Sequence, residues 1–160
     1  MTDFVHLHVH SDFSLLDAAV SVMALADKAE ELEMKYLVLT DLGNMFGAME
    51  FIKACSETVN ENGRCEKRKN PVTPIIGCEV YVCPGSRFVK NGSENENRYY
   101  HLVLLAANRK GYLNLAKLCS LAYIEGFYYR PRIDEELLEK NHEGLIALSA
   151  CINGEIPSLI

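Results

Sequence analysis

Three histidines stand at alternate positions near the start of the chain, His6, His8 and His10. Side chains alternate between the two faces of a strand, so a strand over residues 4–10 would place all three imidazoles on one side. Imidazoles at such a spacing can converge on a single Zn, Mn or Fe ion. The run therefore predicts metal ligands. The alternative is a structural strand end whose ring nitrogens are satisfied by hydrogen bonds.

Further side chains with metal-ligand chemistry lie at or near the ends of other predicted strands, as Asp41 does. One such residue alone is more often structural, and the spacing leaves open whether several of them converge. As a set, they offer nitrogen, oxygen and sulfur donors that could hold two or more metal ions. Such a centre activates water and clamps a phosphate for in-line attack, which is phosphoester hydrolysis. The candidate ligands are His8, His10, Asp17, Glu79, His101 and Cys151.

Motifs of several other enzyme classes are missing from the sequence. No GxGxxG, GxxxxGK[ST] or GxSxG segment occurs, which leaves nucleotide-loop and serine-hydrolase chemistry without a basis. The six aspartates, at positions 3, 12, 17, 27, 41 and 134, form no DxD pair of the kind that two-metal nucleotidyl transfer would use. We therefore expect no polymerase active site within these 160 residues.

The composition is typical of one globular domain, with 49% hydrophobic and 24% charged residues. A net charge of -6 provides no global positive field, so any DNA contact must be local or come from a partner. No apolar run approaches the roughly 20 residues of a membrane span, and the first residues lack the order of a signal peptide. We expect a cytoplasmic protein without a membrane partner, whose six cysteines are reduced thiols because no CxxC pair occurs.

Short β-branched segments alternate with longer helical patterns along the chain, which indicates an α/β fold with parallel strands. In the second predicted helix, Phe46, Met49, Ile52 and Ala54 are expected to face inward. The predicted strands cover about 4–10, 36–40, 75–82, 101–105 and 144–149, and the predicted helices cover about 21–32, 46–59, 110–125 and 134–140.

Two polar segments, residues 60–72 and 84–98, are predicted as exposed loops. The first contains the cluster Lys67-Arg68-Lys69, which is either a solvated loop or a patch that contacts phosphate groups. Aromatic residues stand beside arginines in 99–100 and 127–132. They either pack a domain surface or stack on nucleic-acid bases.

Five segments of the chain carry a family resemblance: HLHVHSDFSLLD, LTDLGNMFGAMEF, PIIGCEVYVCPGSRF, HLVLLAANRKGYLNLAKLCSLAYIEGFYYRPRID and EGLIALSACINGEIP. They resemble the PHP (polymerase and histidinol phosphatase) family, and within it the N-terminal domain of bacterial DNA polymerase III alpha subunits. The resemblance covers nearly the whole chain apart from 60–72 and 90–98. It implies a distorted (β/α)7 barrel of the PHP type. Residues 1–160 would be the N-terminal part of that single domain, truncated before its last strands.

The resemblance also implies a cluster of divalent metal ions, Zn, Mn or Fe, at the rim of the barrel. Two departures from the family pattern leave this site incomplete. The family's Thr-Asp-His-Gly-Asn reads Thr-Asp-Leu-Gly-Asn at 40–44, so Leu42 stands where a ligand histidine is usual. The family's last Asp and His ligands would lie beyond Ile160. His6 becomes a neighbour of the ligands, and the ligands carried over by motif are His8, His10, Asp17, Glu79, His101 and Cys151.

Three functions are compatible with this resemblance. The first is a structural module of the replicative DNA-directed DNA polymerase, which stabilises that subunit and docks the proofreading exonuclease; Leu42 favours it. The second is a metal-dependent 3′–5′ exonuclease or phosphoesterase, and the third is a small-molecule phosphatase acting on a compound such as histidinol phosphate. The implied partners are the rest of the alpha subunit, holoenzyme subunits including the proofreading exonuclease and the sliding clamp, and DNA through the full subunit.

Overall fold

The structure is a computed structural model that describes residues 4–90 and 99–160. Residues 91–98 of the second predicted loop therefore lie outside the described residues. The chain divides into two compact units, Met1–Asp41 with Phe46–Ile76 and Leu42–Met45 with Gly77–Ile160. The expectation that residues 1–160 belong to one truncated PHP domain is not tested by this division and stays a prediction.

The first unit contains two helices, a parallel strand pair and a small hairpin. Ser21 caps the first helix, because its hydroxyl accepts a hydrogen bond from the N–H of Ala24 at 3.2 Å. Strand β1 (Tyr36–Leu39) pairs in parallel with the first four residues of β4 (Thr73–Val82), with Leu39 opposite Ile76. The elements are α1 (Val22–Glu31), β1 (Tyr36–Leu39), α2 (Ala48–Ser56), β2 (Glu57–Val59), β3 (Cys65–Lys67) and the start of β4 (Thr73–Val82).

The segment 4–10 forms no strand, so the prediction of a first strand there is wrong. Val9 is nevertheless tied to the residue that follows β1. Thr40 donates its N–H to the carbonyl of Val9 at 2.8 Å, and the hydroxyl of Thr40 accepts the N–H of Val9, also at 2.8 Å. The hydroxyl of Thr40 thus replaces a backbone carbonyl as the acceptor for the N–H of Val9. Both backbone hydrogen-bonding groups of Val9 are paired, although no regular strand ladder forms.

Helix α2 turns a different face inward from the one expected. Phe46 precedes the helix and is 68% exposed, Met49 is 69% exposed and Ile52 is 38% exposed, whereas Ala54 is buried as predicted. Phe51 is fully buried instead. The segment has apolar residues on both faces of the helix, so the spacing of apolar residues alone predicts the wrong face as the buried one.

The predicted loop over 60–72 contains strand β3, which forms a hairpin with β2 just before the loop; Glu57 pairs with Lys67. Arg68 is buried, so neither a solvated loop nor a phosphate patch describes this residue. Its guanidinium instead contacts Asp27 at 2.7 Å and Glu30 at 2.8 Å, both on α1. Two carboxylates one turn apart on a helix present the acceptors that a forked guanidinium matches.

The second unit is built on the rest of β4, so its sheet is mixed rather than parallel. Residues 77–82 of β4 pair antiparallel with β5 (Tyr100–Ala106) and in parallel with β6 (Arg132–Ile133), and β5 pairs antiparallel with β7 (Leu145–Leu148). The α/β class is confirmed, but the all-parallel arrangement is wrong. Two parallel neighbouring strands need a crossover connection, which is usually a helix. The sequence between β4 and β5 has no helical apolar pattern, which agrees with their antiparallel pairing. The elements are β5 (Tyr100–Ala106), α3 (Arg109–Ile124), β6 (Arg132–Ile133), α4 (Glu135–Lys140), β7 (Leu145–Leu148) and a 3-10 turn (Pro157–Leu159).

The core of the second unit lies between its sheet and helices α3 and α4. Among its members are Cys78, Leu104, Leu115, Leu118 and Ile133, all buried. None of the helices in the described part of the chain is long and apolar enough to cross a membrane.

A buried ion pair fixes the start of α4 in this unit. Asp134 caps the helix by accepting the N–H of Leu137 at 3.0 Å, and its carboxylate also contacts the guanidinium of Arg87 at 2.9 Å. Burial acts to raise the pKa of Asp134, but the backbone N–H groups of Arg87 and Leu137, together with the Arg87 guanidinium, lower that pKa overall. Arg87 belongs to a segment predicted as an exposed loop, and here it is buried.

Candidate metal centre

The second unit brings together three of the predicted ligands, and the register of β4 and β5 accounts for two of them. Val103 is directly opposite Glu79, and His101 is opposite Tyr81, so Glu79 and His101 are diagonal neighbours on one face. Diagonal pairs are within reach of long side chains. The Nδ1 atom of His101 lies 2.8 Å from Oε1 of Glu79, and both side chains are largely buried.

A tight turn after β7 carries the third ligand, Cys151. The N–H of His101 donates to the carbonyl of Asn153 at 3.0 Å, and the N–H of Gly154 donates to the carbonyl of Cys151 at 2.8 Å. A Cβ on Gly154 would stand 2.2 Å from the carbonyl oxygen of Ser149, so a side chain there would disturb the turn. This packing holds Sγ of Cys151 at 3.8 Å from Nδ1 of His101.

The chemistry of this trio fits a divalent metal ion. Glu79, His101 and Cys151 each offer one ligand atom, and the three atoms all lie within 4.8 Å of one another. A mixed oxygen, nitrogen and sulfur set suits borderline metals such as Zn, which accepts all three donor types. The described residues therefore include a group able to bind a metal ion.

Leu42 lies beside this trio in the same unit. It forms a parallel bridge with Glu79, and the N–H of the next residue, Gly43, donates to the carbonyl of Glu79 at 2.7 Å. Residues opposite each other in such a bridge project to the same face. An aliphatic side chain without donor atoms thus stands next to the candidate carboxylate ligand.

The first unit holds two more of the predicted ligands near each other. The rings of His8 and His10 have their centroids 5.0 Å apart, while His6 packs edge-on against Phe4 with centroids 4.8 Å apart. Asp17 is exposed in a turn in which its N–H donates to Ser14. Among the described residues, Asp17 joins no group of three metal-binding side chains. That all six predicted residues share one metal centre stays a prediction.

Asp41, a carboxylate considered as a ligand because it follows a strand, has a different environment. It is 1% exposed, and the hydrogen bonds that it accepts include those from the N–H of Ser11 at 2.7 Å, the hydroxyl of Ser11 at 2.8 Å and the hydroxyl of Ser14 at 2.7 Å. Thr40, which holds Val9, belongs to the motif at 40–44, but the sequence pattern predicts no role of its own for it. The serines at 11 and 14, just after the histidine run, are the signal that could have indicated such a clamp.

Two aromatic side chains of the second unit contact the His101 ring. Tyr99 stacks on the imidazole with centroids 6.1 Å apart, and Tyr81 meets the ring edge-on at 5.2 Å. The guanidinium of Arg130 lies 5.8 Å from the Tyr81 ring centroid. Tyr99 therefore packs against a candidate ligand, and base stacking by the aromatic residues stays a hypothesis. A cavity of about 260 Å³ borders His101 on this unit and is lined also by Cys83, Tyr100, Glu135, Leu138 and Glu155.

Comparison with known proteins decides the family. The family model described as the PHP domain matches residues 6–160. The chain belongs to the PHP domain family. This PHP domain is 50% identical over 157 residues to the DNA polymerase III subunit alpha of Borreliella burgdorferi. The aligned region covers 98% of this chain and 13% of that protein. The corresponding subunit of Treponema pallidum is 50% identical, over 98% of this chain and 12% of that protein.

More distant relatives of this PHP domain carry the same name. The DNA polymerase III subunit alpha of Aquifex aeolicus is 46% identical over 95% of this chain and 12% of that protein. The chain thus spans about one eighth of the length of the curated relatives it matches. A crystal structure described with the words metal-dependent phosphoesterase, from Bifidobacterium adolescentis, is 15% identical with a TM-score of 0.46, over 75% of this chain and 33% of that one. A likeness of this extent says nothing about the chemistry of the present chain.

Proposed function

We propose that this PHP domain is part of a replicative DNA polymerase III alpha subunit and acts there as a structural module with an incomplete metal site. The observation that carries the proposal is the 50% identity to subunits of that name over 98% of the chain. The polymerase active site would reside elsewhere in the subunit, because these residues lack the paired aspartates that nucleotidyl transfer would use.

Leu42 supports the structural role over hydrolysis. A metal-activated water needs an ion held with defined geometry, and Leu42 stands beside Glu79 where the family has a ligand histidine. The remaining donors, Glu79, His101 and Cys151, would still hold a divalent ion. His8, His10 and Asp17 are proposed as the further ligands on the resemblance alone.

A bound divalent ion would supply a hydroxide near neutral pH and positive charge for a phosphate. The contribution of this chain would be to orient the ligands. The carboxylate of Glu79 accepts a hydrogen bond from Nδ1 of His101, which favours the tautomer whose lone pair is on Nε2. The partners we propose are the remainder of the alpha subunit, the proofreading exonuclease, the sliding clamp and, through the whole subunit, DNA.

The test uses the full-length subunit with its polymerase activity intact. Parent protein and a His101→Ala/Cys151→Ala variant are compared for DNA synthesis, for the midpoint of thermal unfolding, and for release of nucleotides from a DNA 3′ end with added Mn²⁺ or Zn²⁺. We expect the parent to release no more nucleotide than the variant, and the variant to unfold at a lower temperature. Leu42→His is the matched gain-of-ligand variant, and it should raise metal affinity.

The second candidate is a metal-dependent 3′–5′ exonuclease, and the surviving trio Glu79, His101 and Cys151 is the observation in its favour. Nucleotide release by the parent that needs the metal and disappears in His101→Ala/Cys151→Ala would overturn the structural assignment. Preference for histidinol phosphate over a DNA 3′ end would instead identify a small-molecule phosphatase.

A further inference from the structure

The segment that carries His8 and His10 lies outside any regular strand, yet its backbone is held at two points of the first unit. At the first, Thr40 both donates to the carbonyl of Val9 and accepts the N–H of Val9, each at 2.8 Å. At the second, the carboxylate of Asp41 accepts the N–H of Ser11 at 2.7 Å. The two fixed residues, Val9 and Ser11, flank His10 on both sides.

We propose that Thr40 and Asp41 are positioning residues that hold His8 and His10 as a ligand pair for a divalent metal ion. This inference rests on the proposed metal binding. Both residues are buried, with Thr40 0% and Asp41 1% exposed, and both follow β1 directly, so a rigid parallel strand pair sets their location. The histidine rings are brought to a centroid separation of 5.0 Å.

The carboxylate of Asp41 does more than hold one N–H. Its Oδ2 accepts the hydroxyl of Ser11 at 2.8 Å, and its Oδ1 also accepts the hydroxyl of Ser14 at 2.7 Å. A carboxylate of this kind is an acceptor, so the N–H of Ser11 and the hydroxyls of Ser11 and Ser14 all point at the same buried group. The turn after His10 is thereby fixed at both ends.

The packing beside Asp41 supports the same assignment. A Cβ on Gly47 would stand 2.7 Å from the Phe13 ring and 3.3 Å from Oδ2 of Asp41. Phe13, between the two serines, occupies the space that glycine leaves. The loop 11–14 therefore has hydrogen bonds on one side and an aromatic contact on the other, which is how supporting groups fix the orientation of metal ligands.

The experiment measures the histidine pair itself in the 160-residue chain. Zn²⁺ is titrated while the imidazole nitrogen resonances of His8 and His10 are followed by NMR, and the ring-to-ring nuclear Overhauser effect is recorded without metal. Thr40→Val keeps the shape and removes the acceptor for Val9, and Asp41→Asn removes one acceptor and adds a donor. We expect each to weaken Zn²⁺ binding at the pair by about tenfold or more and to abolish the Overhauser effect.

Two further variants separate positioning from general stability. Thr40→Ser keeps the hydroxyl and should restore both signals. Thr58→Val, which removes a threonine hydroxyl that contacts Asp27 at 3.3 Å in the same unit, should leave both unchanged. If Asp41→Asn does not fold, the comparison of Thr40→Val with Thr40→Ser decides.

The outcomes distinguish this inference from the proposed function. Unchanged Zn²⁺ affinity and an unchanged Overhauser effect in Thr40→Val would overturn the positioning role, even if the variant were less stable. If the parent binds no Zn²⁺ at the pair, the proposed metal binding fails there. The metal-free Overhauser effect then still decides whether Thr40 and Asp41 hold the two rings together, since its persistence in Thr40→Val would refute the role.

Discussion

Arg68 is a cation whose side chain is 1% exposed. Its Nη2 contacts Asp27, its Nη1 contacts Glu30, and its Nε donates to the carbonyl of Ala54. The N–H of Asn70 and then the Arg68 guanidinium lower the pKa of Glu30, so this carboxylate stays ionised to more acidic pH than an ordinary one. A buried charge of this kind stabilises a fold only while its partners remain.

The first prediction concerns Arg68→Met. Removing the guanidinium leaves Asp27 and Glu30 without their cation, and we expect the free energy of unfolding to fall by about 2–3 kcal/mol, since both carboxylates are partly exposed. Denaturant unfolding measures the change. Lys67→Met, at an exposed neighbouring position, is the control and should change stability by less than about 0.5 kcal/mol. Equal losses in the two variants would contradict the assignment.

The second prediction concerns Asp134 and pH. Its pKa in the folded state lies below the ordinary value of 3.8, so its contribution to stability is complete above about pH 4 and is lost as pH falls from 3.8 through the folded pKa. Asp134→Asn keeps the helix cap but loses the charge pair with Arg87. We expect a loss of about 2 kcal/mol at pH 7, because Arg87 keeps its contact with Glu125 at 2.8 Å, and this loss shrinks below pH 4.

Urea unfolding of the parent and Asp134→Asn at pH 7, 5, 4 and 3 measures this dependence. Glu139→Gln, an exposed position on the same helix, serves as the control and should show no comparable loss at any of these pH values. A stability difference for Asp134→Asn that stays constant down to pH 3 would show that ionisation of Asp134 is not its source.

At the scale of elements, α2 yields a direct test of which face is buried. Phe51 is 0% exposed and Met49 is 69% exposed. We expect Phe51→Ala to lower the free energy of unfolding by about 3–5 kcal/mol and Met49→Ala to change it by less than about 0.5 kcal/mol. Chemical denaturation measures the free energy of unfolding of both variants. A larger loss in Met49→Ala than in Phe51→Ala would instead support the buried face that the sequence pattern predicts.

Most helices and strands could be predicted from the sequence, because local signals specify them. Ser21 and Asp134, where two of the predicted helices begin, are N-cap residues whose side chains accept backbone N–H groups of the first turn. Strand direction could not be predicted so well, since it depends on how β4 and β5 are connected and not on their own patterns. The segment 4–10 alternates like a strand, but Thr40 provides a side-chain partner instead of a ladder.

The candidate site shows the same division. His101 and Glu79 were recognised by residue type, but their contact follows from a register in which Val103 opposes Glu79, and no local signal specifies that register. Cys151 is near them because Gly154 permits a close backbone turn. Arg68 and Arg87 were assigned to exposed loops because composition does not reveal a buried carboxylate partner distant in sequence.

For the whole molecule, a net charge of -6 argues against nucleic-acid binding by this chain alone. We expect no binding of a fluorescent single-stranded oligonucleotide at 150 mM salt up to about 100 μM protein, measured by anisotropy. Binding that falls steeply with salt would instead indicate a local cationic surface. Tyr129, 80% exposed, and Arg130 are the residues to replace in that event, because an aromatic ring beside a cation could stack on a base.

The Arg68 ion pair also bears on the order in which the chain folds. The contact between Arg68 and Glu30 joins residues 38 positions apart, so the entropy of closing that loop must be lost before the attraction is gained. We expect such a contact to form after the rate-limiting barrier, once α1 and the hairpin are in place. Its loss should therefore speed unfolding and leave the refolding rate nearly unchanged, which makes Arg68 a determinant of how long the first unit stays folded.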